Sequence, residues 1–374
     1  MLTNLKLKNL GNTKATISSI GLGTGTGFKY IDKKKDQELI YILQKAMDLG
    51  INFIDSAEVY FDSHAEELIG KAFKKNRKKV FIATKFLPEH SNYKEVLKAA
   101  EGSLKRLQTH YIDLYQIHWP NPIVPIEETL KALENLVNKG KVRYIGVCNF
   151  SLRQLKKILK ISKLPIVSLQ TEYNLLERSA EEDLLPYCEK KKITVIAYTP
   201  LNSGKILKND KYSKIFLNLS KKYDKTPSQT ILNFLVSHPA VVAIPATTNV
   251  IHLEKNAKSM DFMLEKDDIE LLSKTFITKV TNIETRKIRV VTIVDHAAYK
   301  SVKEALDNKL NFFPSPKMLS QDLRKGDFLK PVKVRKIQKK DGFFEYELIN
   351  GRIRYWAWVL AFNDKRPIPS IIED

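Results

Sequence analysis

Three short apolar runs in this chain each end on an ionisable side chain: Asn52-Phe53-Ile54-Asp55, Val80-Phe81-Ile82-Ala83-Thr84-Lys85 and Asp113-Leu114-Tyr115-Gln116-Ile117-His118. A tyrosine, Tyr60, follows shortly after Asp55. Taken singly, each residue has an ordinary use: Asp55 as a helix cap, Lys85 as a surface charge, His118 as a satisfied core histidine, Tyr60 as a loop aromatic. Taken together they could form an acid. A free tyrosine gives up its proton only near a pH of about 10. A neighbouring ammonium, Lys85, favours phenolate and lowers that value, and a buried Asp55 would keep Lys85 charged and in place. His118 beside the same opening would orient a carbonyl group by hydrogen bonding.

Such a cluster needs a scaffold that brings strand ends from distant parts of the chain to one place. The sequence repeats one unit: a short apolar strand-like run, a polar loop and a helical stretch. The strand runs are Ile20 to Thr24, Asn52 to Asp55, Val80 to Lys85, Asp113 to His118, Tyr144 to Asn149, Val167 to Tyr173, Thr194 to Pro200 and Val241 to Thr247. Helical periodicity covers Asp36 to Leu49 before Gly50, Ala65 to Lys75, Lys94 to Leu107, Ile126 to Lys139 before Gly140, and Pro227 to Ser237. Eight βα units predict an α/β fold, a (β/α)8 TIM barrel rather than an open sheet, with the ionisable strand ends at its C-terminal mouth. The glycine-rich stretch Gly21-Leu22-Gly23-Thr24-Gly25-Thr26-Gly27 lacks the G-x-G-x-x-G order and opens no helix, so it is read as a strand and a loop at that mouth. Helices over Leu253 to Phe262 and Glu265 to Lys274 would close the barrel. The repeat ends there: paired strands over Pro331 to Ile337 and Glu345 to Ile349 and a helix over Tyr355 to Phe362 predict a smaller α+β domain. The expected domains are 1–278 and 285–374.

Composition narrows the class. No apolar run in the 374 residues approaches the roughly 20 needed to span a bilayer. The N-terminus lacks a signal-peptide pattern and only Cys148 and Cys188 occur, so a cytoplasmic location is expected. The net charge of +21 is mostly scattered lysine, as in Lys33-Lys34-Lys35 and Lys190-Lys191-Lys192, and reads as solvated surface, so a nucleic-acid partner is not expected. No metal site is expected either.

From about Leu10 to Lys274 the chain resembles the aldo-keto reductase family. The resemblance rests on Asn52 to Tyr60 followed by Glu66-Glu67-Leu68-Ile69-Gly70, on Ile112 to Pro120, on Gly140 to Phe150 and on Ile196-Ala197-Tyr198-Thr199-Pro200-Leu201. It implies a catalytic tetrad of Asp55, Tyr60, Lys85 and His118, in which a reduced nicotinamide gives hydride to an aldehyde or ketone carbon and Tyr60 protonates its oxygen. It also implies that Asn149 and Gln170 hold the nicotinamide carboxamide and that Tyr198 stacks on its ring. Thr199, Leu201, Ser203 and Gly204 would wrap the pyrophosphate, Thr247, Asn249, His252 and Asn256 would line the far end of the cofactor, and Trp119 would line the substrate pocket. Cys148 stands where the family often has Ser. NADPH is the implied cofactor, but Ala246, Asn249 and His252 occupy positions where a Lys or Arg usually meets the 2′-phosphate, which leaves NADH open. The small-molecule carbonyl substrate stays unidentified. The competing reading is a cofactor-binding sensor or subunit whose C-terminal domain binds a nucleotide, nucleic acid or partner protein.

The tail, from about Arg286 to Ile372, resembles the ParB/sulfiredoxin-like superfamily, best in Leu329 to Lys336, Tyr346 to Ala357 and Ile368 to Ile372. That resemblance implies a phosphate or nucleotide site at Gly351, Arg352 and Arg354. The usual acidic residue is replaced by Arg352, Ile353 replaces an Arg, and both cysteines lie outside the tail, which excludes sulfiredoxin chemistry. Trp356 and Trp358 are expected to be core.

Overall fold

The structure is a computed structural model that describes residues 6–25, 35–277, 280–291, 299–312, 314–326 and 330–373. Of the residues singled out above, Thr26, Gly27, Lys33, Lys34 and Leu329 lie outside the described residues. The chain divides into two compact units, Met1–Ile277 and Thr278–Asp374.

The first unit opens with an antiparallel hairpin, β1 (Leu7–Asn9) and β2 (Thr16–Ser18), in addition to the elements expected from the sequence. Lys8 anchors it by donating to the carbonyls of Val236, His238 and Val241, and the Gly11 N–H donates to the Thr194 hydroxyl. Val241 and Thr194 begin their strands, so the hairpin seals the N-terminal end of the barrel.

The barrel strands are β3 (Leu22–Gly23), β4 (Phe53–Asp55), β5 (Phe81–Phe86), β6 (Ile112–Ile117), β7 (Val142–Cys148), β8 (Ile166–Glu172), β9 (Thr194–Tyr198) and β10 (Val241–Ala243). They are all parallel and neighbour one another in chain order. A parallel bridge between Ile20 and Ala243 closes the ring. Helices α1 (Asp36–Asp48), α2 (His64–Phe73), α3 (Tyr93–Arg106), α4 (Ile126–Asn138), α5 (Leu152–Ile161), α6 (Leu184–Lys190), α7 (Ser213–Tyr223) and α8 (Pro227–Ser237) surround it, followed by α9 (Val250–Ala257) and α10 (Lys266–Thr275). Local chemistry sets several boundaries. Thr226 and Gln229 form a capping box before α8, with Pro227 as its first residue. Ser151 and Gln154 cap α5 in the same way, and Asn249 caps α9, which begins at Val250, three residues before the expected onset at Leu253.

Two apolar layers result from the two-residue period of the strands. Phe53, Phe81, Ala83, Leu114 and Ile196 fill the interior together with Leu10 and Ile17, whereas Ile54, Ile82, Tyr115, Ile117 and Val195 face the helices.

The second unit is a five-stranded mixed sheet. Its strands are β11 (Val280–Ile283), β12 (Ile288–Arg289), β13 (Val332–Asp341), β14 (Phe344–Asn350) and β15 (Ile368–Glu373), in the order β11-β15-β13-β14-β12. Helices α11 (Val302–Leu306), α12 (Pro316–Arg324) and α13 (Arg352–Phe362) accompany it. It has its own core, in which Tyr299, Val334, Leu348, Trp356 and Ile368 are buried and Trp358 packs against them.

Candidate active site

The same alternation that separates the two apolar layers places the chemistry. With Phe53, Phe81 and Leu114 pointing inward, Asp55, Lys85 and His118 are the inward residues at the C-terminal ends of β4, β5 and β6. Lys85 is fully buried. It donates to Asp55 Oδ2 at 2.8 Å, to the Ser56 carbonyl at 2.7 Å and to Tyr60 Oη at 3.3 Å. All three ammonium protons therefore have an acceptor. Burial alone would depress the Lys85 pKa, but the Asp55 charge and the Tyr60 oxygen overcome it and hold the ammonium above its usual range.

Tyr60 behaves differently from the expectation built on Lys85 alone. Burial raises its phenol above the ordinary tyrosine range, and Lys85 draws it back only in part. Tyr60 therefore keeps its proton at neutral pH. His118 stands edge-on to the phenol, with ring centroids 5.9 Å apart. Burial, reinforced by the Lys85 charge, takes its imidazole down to about 3, so the ring is neutral at working pH. Its Nδ1 is buried with no hydrogen-bond partner among the described residues, unlike that of a satisfied core histidine.

Asn149 and Tyr198, at the ends of β7 and β9, join this group. Asn149 has a positive φ of 62°. It donates to the His118 carbonyl at 3.1 Å and accepts the Tyr198 hydroxyl at 2.9 Å. On β8, Gln170 donates from Nε2 to Asp55 Oδ1 at 2.7 Å. Cys148 Sγ lies 3.1 Å from Asn149 Nδ2 and 3.8 Å from Gln170 Oε1. Trp119 follows His118 and is 39% exposed.

The other named positions lie on loops after β9 and β10. Thr199, Ser203 and Gly204 all have positive φ, and the Gly204 N–H donates to the Leu201 carbonyl, which winds this loop tightly. Thr247 accepts the Asn249 N–H, and Asn249 spends its side-chain oxygen on the His252 N–H as the cap of α9. His252 is exposed and Asn256 is buried.

Three contributors escaped the sequence reading. The Ser56 carbonyl is a backbone group and left no residue-type signal. Gly25 lies in the glycine-rich stretch, and a Cβ there would lie 3.3 Å from Tyr60 Cζ, so glycine lets the backbone back the phenol ring. Buried Glu58 accepts from the Leu87 N–H at 2.5 Å and from His90 Nδ1 at 2.8 Å, tying the loop after β5 to the Tyr60 loop.

In the second unit, Gly351 has φ +94° and immediately precedes α13. Arg352 Nε and Nη2 are buried with no hydrogen-bond partner among the described residues. Arg354 instead donates to the carbonyls of Lys330 and Pro331 at 2.8 and 2.7 Å. Among the described residues no group of three or more His, Cys, Asp or Glu is placed to hold a metal, and no helix is long and apolar enough to cross a membrane.

A closed parallel barrel carrying an ionisable cluster at the C-terminal ends of its strands is the architecture of a (β/α)8-barrel enzyme. Comparison with known proteins specifies the class. The model of the Aldo/keto reductase family matches residues 19–276. Methylglyoxal reductase YeaE of Escherichia coli (strain K12) is 31% identical over 262 residues, covering 70% of this chain and 92% of the relative. A thermostable aldo-keto reductase, Tm1743, solved with the inhibitor epalrestat, is 41% identical with a TM-score of 0.68, over 72% of this chain and 98% of that one. An aldo/keto reductase from Klebsiella pneumoniae, solved with NADP and acetate, is 31% identical with a TM-score of 0.67, over 72% of this chain and 95% of that one. The chain therefore belongs to the aldo/keto reductase family and is an NAD(P)H-dependent oxidoreductase.

Proposed function

We propose that the first unit reduces an aldehyde or ketone with NADPH, with Tyr60 as the proton donor and Lys85, Asp55 and His118 assisting it. The observation that carries this reading is the bonding of Lys85, whose buried ammonium reaches Asp55, the Ser56 carbonyl and the Tyr60 hydroxyl at once. The chemistry that a bound nicotinamide supplies is hydride for the carbonyl carbon. As negative charge grows on the carbonyl oxygen, Tyr60 transfers its proton there, and the adjacent ammonium stabilises the phenolate left behind. Asp55 holds Lys85 in place and charged. Neutral His118 can offer a ring N–H to the same oxygen and so orient the substrate beside Tyr60.

The residues at the mouth fit a nicotinamide cofactor. Tyr198 is part-exposed and offers a ring to stack on, while Asn149 beside it and Gln170, whose amide is buried against Asp55, would hold the carboxamide. Thr199, Leu201, Ser203 and Gly204 would wrap the pyrophosphate, with Thr247, Asn249, His252 and Asn256 beyond them. NADPH is favoured by the relatives solved with NADP or NADPH. The absence of Lys and Arg at Ala246, Asn249 and His252 keeps NADH as the second candidate. We take methylglyoxal as the first substrate to try, because a named relative is a methylglyoxal reductase; Trp119 would line its pocket, and a cytoplasmic setting would supply the reduced cofactor. Fluorescence titration with NADPH and NADH, followed by turnover on a panel of aldehydes, tests the reading. Micromolar binding of one nucleotide with aldehyde-dependent oxidation is expected, and binding of neither would reject it.

For the second unit, on residues 285–374, we propose a ParB/sulfiredoxin-like module that takes the phosphate of a nucleotide at Gly351 and Arg352. The observation favouring it is the unpartnered, buried edge of the Arg352 guanidinium beside a left-handed glycine at a helix start. Calorimetric titration of the full chain with ATP should show binding that Arg352→Ala abolishes; equal binding by both proteins would remove this site.

A further inference from the structure

Gln170 sits inside the barrel on β8 and its side chain crosses to Asp55 on β4. Both residues are 1% exposed. An ionised carboxylate can only accept, so the NH2 of the Gln170 amide must be the group facing Asp55, and its Oε1 is turned toward Cys148 Sγ. The two Asp55 oxygens are thereby divided: Oδ1 takes the amide of Gln170 at 2.7 Å and Oδ2 takes the ammonium of Lys85 at 2.8 Å. From Gln170 the contacts run unbroken through Asp55 and Lys85 to the Tyr60 hydroxyl.

We propose that Gln170 is a positioning residue of the proton-donating assembly, fixing the Asp55 carboxylate so that Lys85 stays aimed at Tyr60. The inference rests on the reductase reading above and adds to it: Gln170 acts through Asp55 and not only through a cofactor carboxamide. Without its amide, Oδ1 of a buried carboxylate loses its donor, and the carboxylate is free to turn toward the ammonium with both oxygens. Lys85 would then be drawn off the Tyr60 hydroxyl, where its bond is already the longest of the three at 3.3 Å. The charged and titratable groups facing this network are Asp55 on β4, Lys85 on β5, Tyr60 and His118 on the loops above, and Cys148 on β7.

Two variants separate this role from a purely structural or cofactor-binding one. Gln170→Met keeps the length but not the donor, and should lower kcat with methylglyoxal about 100-fold, the order of loss that follows misplacement of a catalytic group, while the Kd for NADPH changes by less than the kcat. Gln170→Glu sets a carboxyl against Asp55. The two share one proton, so the variant should be poorly active at pH 8 and regain turnover toward pH 6, where the introduced carboxyl, once protonated, can donate as the Gln170 amide does. Urea denaturation of the same variant without cofactor should show a midpoint that recovers over the same pH range, a readout that needs no turnover. A Gln170→Glu protein with the wild-type shape of kcat against pH, or a Gln170→Met protein that loses only NADPH affinity, would overturn the proposal and leave the reductase reading standing. A wild-type protein that reduces no aldehyde would overturn both.

Discussion

The mouth of the barrel and the start of α13 use similar side chains in opposite ways. At the mouth, Lys85 bonds to Asp55 and to the hydroxyl of Tyr60, a group with its own chemistry. In the second unit, Arg354 bonds to the backbone carbonyls of Lys330 and Pro331 and so braces the segment that leads into β13. A cation thus marks a site when reactive side chains are among its partners, as Asp55 and Tyr60 are for buried Lys85, whereas the bonds of half-buried Arg354 to two carbonyls brace the backbone. Arg352 falls between the two, with buried N–H groups that neither side chain nor backbone receives among the described residues.

The largest effect is expected at Lys85. Lys85→Met leaves Asp55 buried without its cation and should cost the barrel about 3–5 kcal/mol in urea denaturation, together with loss of aldehyde-dependent NADPH oxidation. A near-neutral effect would mean that the Asp55 carboxylate does not depend on this pair. In the second unit, Arg354→Met removes two charge-assisted bonds and should destabilise that unit by about 1.5–3 kcal/mol, seen as faster hydrogen exchange in β13 and α13, with turnover unchanged. Arg352→Met should cost less, within about 0.5 kcal/mol, because it removes donors that have no acceptor. Equal costs at Arg352 and Arg354 would erase the distinction drawn between them.

A separate effect concerns pH. The folded His118 imidazole sits at about 3, below the ordinary value of about 6.5. Between those values the unfolded chain binds a proton that the folded barrel does not, so stability rises with pH through this window and is lost as pH falls below 6.5. The wild-type protein should therefore lose about 1 kcal/mol per pH unit more than His118→Gln between pH 6 and 5. Parallel losses in the two proteins would show that His118 titrates normally.

The barrel was legible because short, continuous apolar runs recur between helical stretches, and because α1 and α4 end at Gly50 and Gly140, both with positive φ. Asp55, Lys85 and His118 were legible because three apolar runs each end on an ionisable residue and a barrel gathers its strand ends at one mouth. Segments whose geometry depends on distant partners were not legible. The β1–β2 hairpin is short and is held by Lys8 bonds to carbonyls more than 200 residues away. Helix α12 is different, because Ser315 and Pro316 supply its cap and first residue locally. The direction of the Tyr60 shift could not be read from residue types, because it depends on how deeply the phenol is buried against how near Lys85 lies. Nor could the bond from Gln170 to Asp55, which joins strands on different sides of the barrel.

In the proposed mechanism Tyr60 delivers the proton while the rest of the mouth only prepares it. Single-turnover oxidation of NADPH by methylglyoxal, compared between the wild-type protein and Tyr60→Phe at matched nucleotide saturation, tests this most directly. Unchanged NADPH affinity is expected, with a rate lowered by about 10²–10⁴ in the variant, the range for removal of a positioned general acid. A Tyr60→Phe protein that oxidises NADPH at the wild-type rate would contradict it.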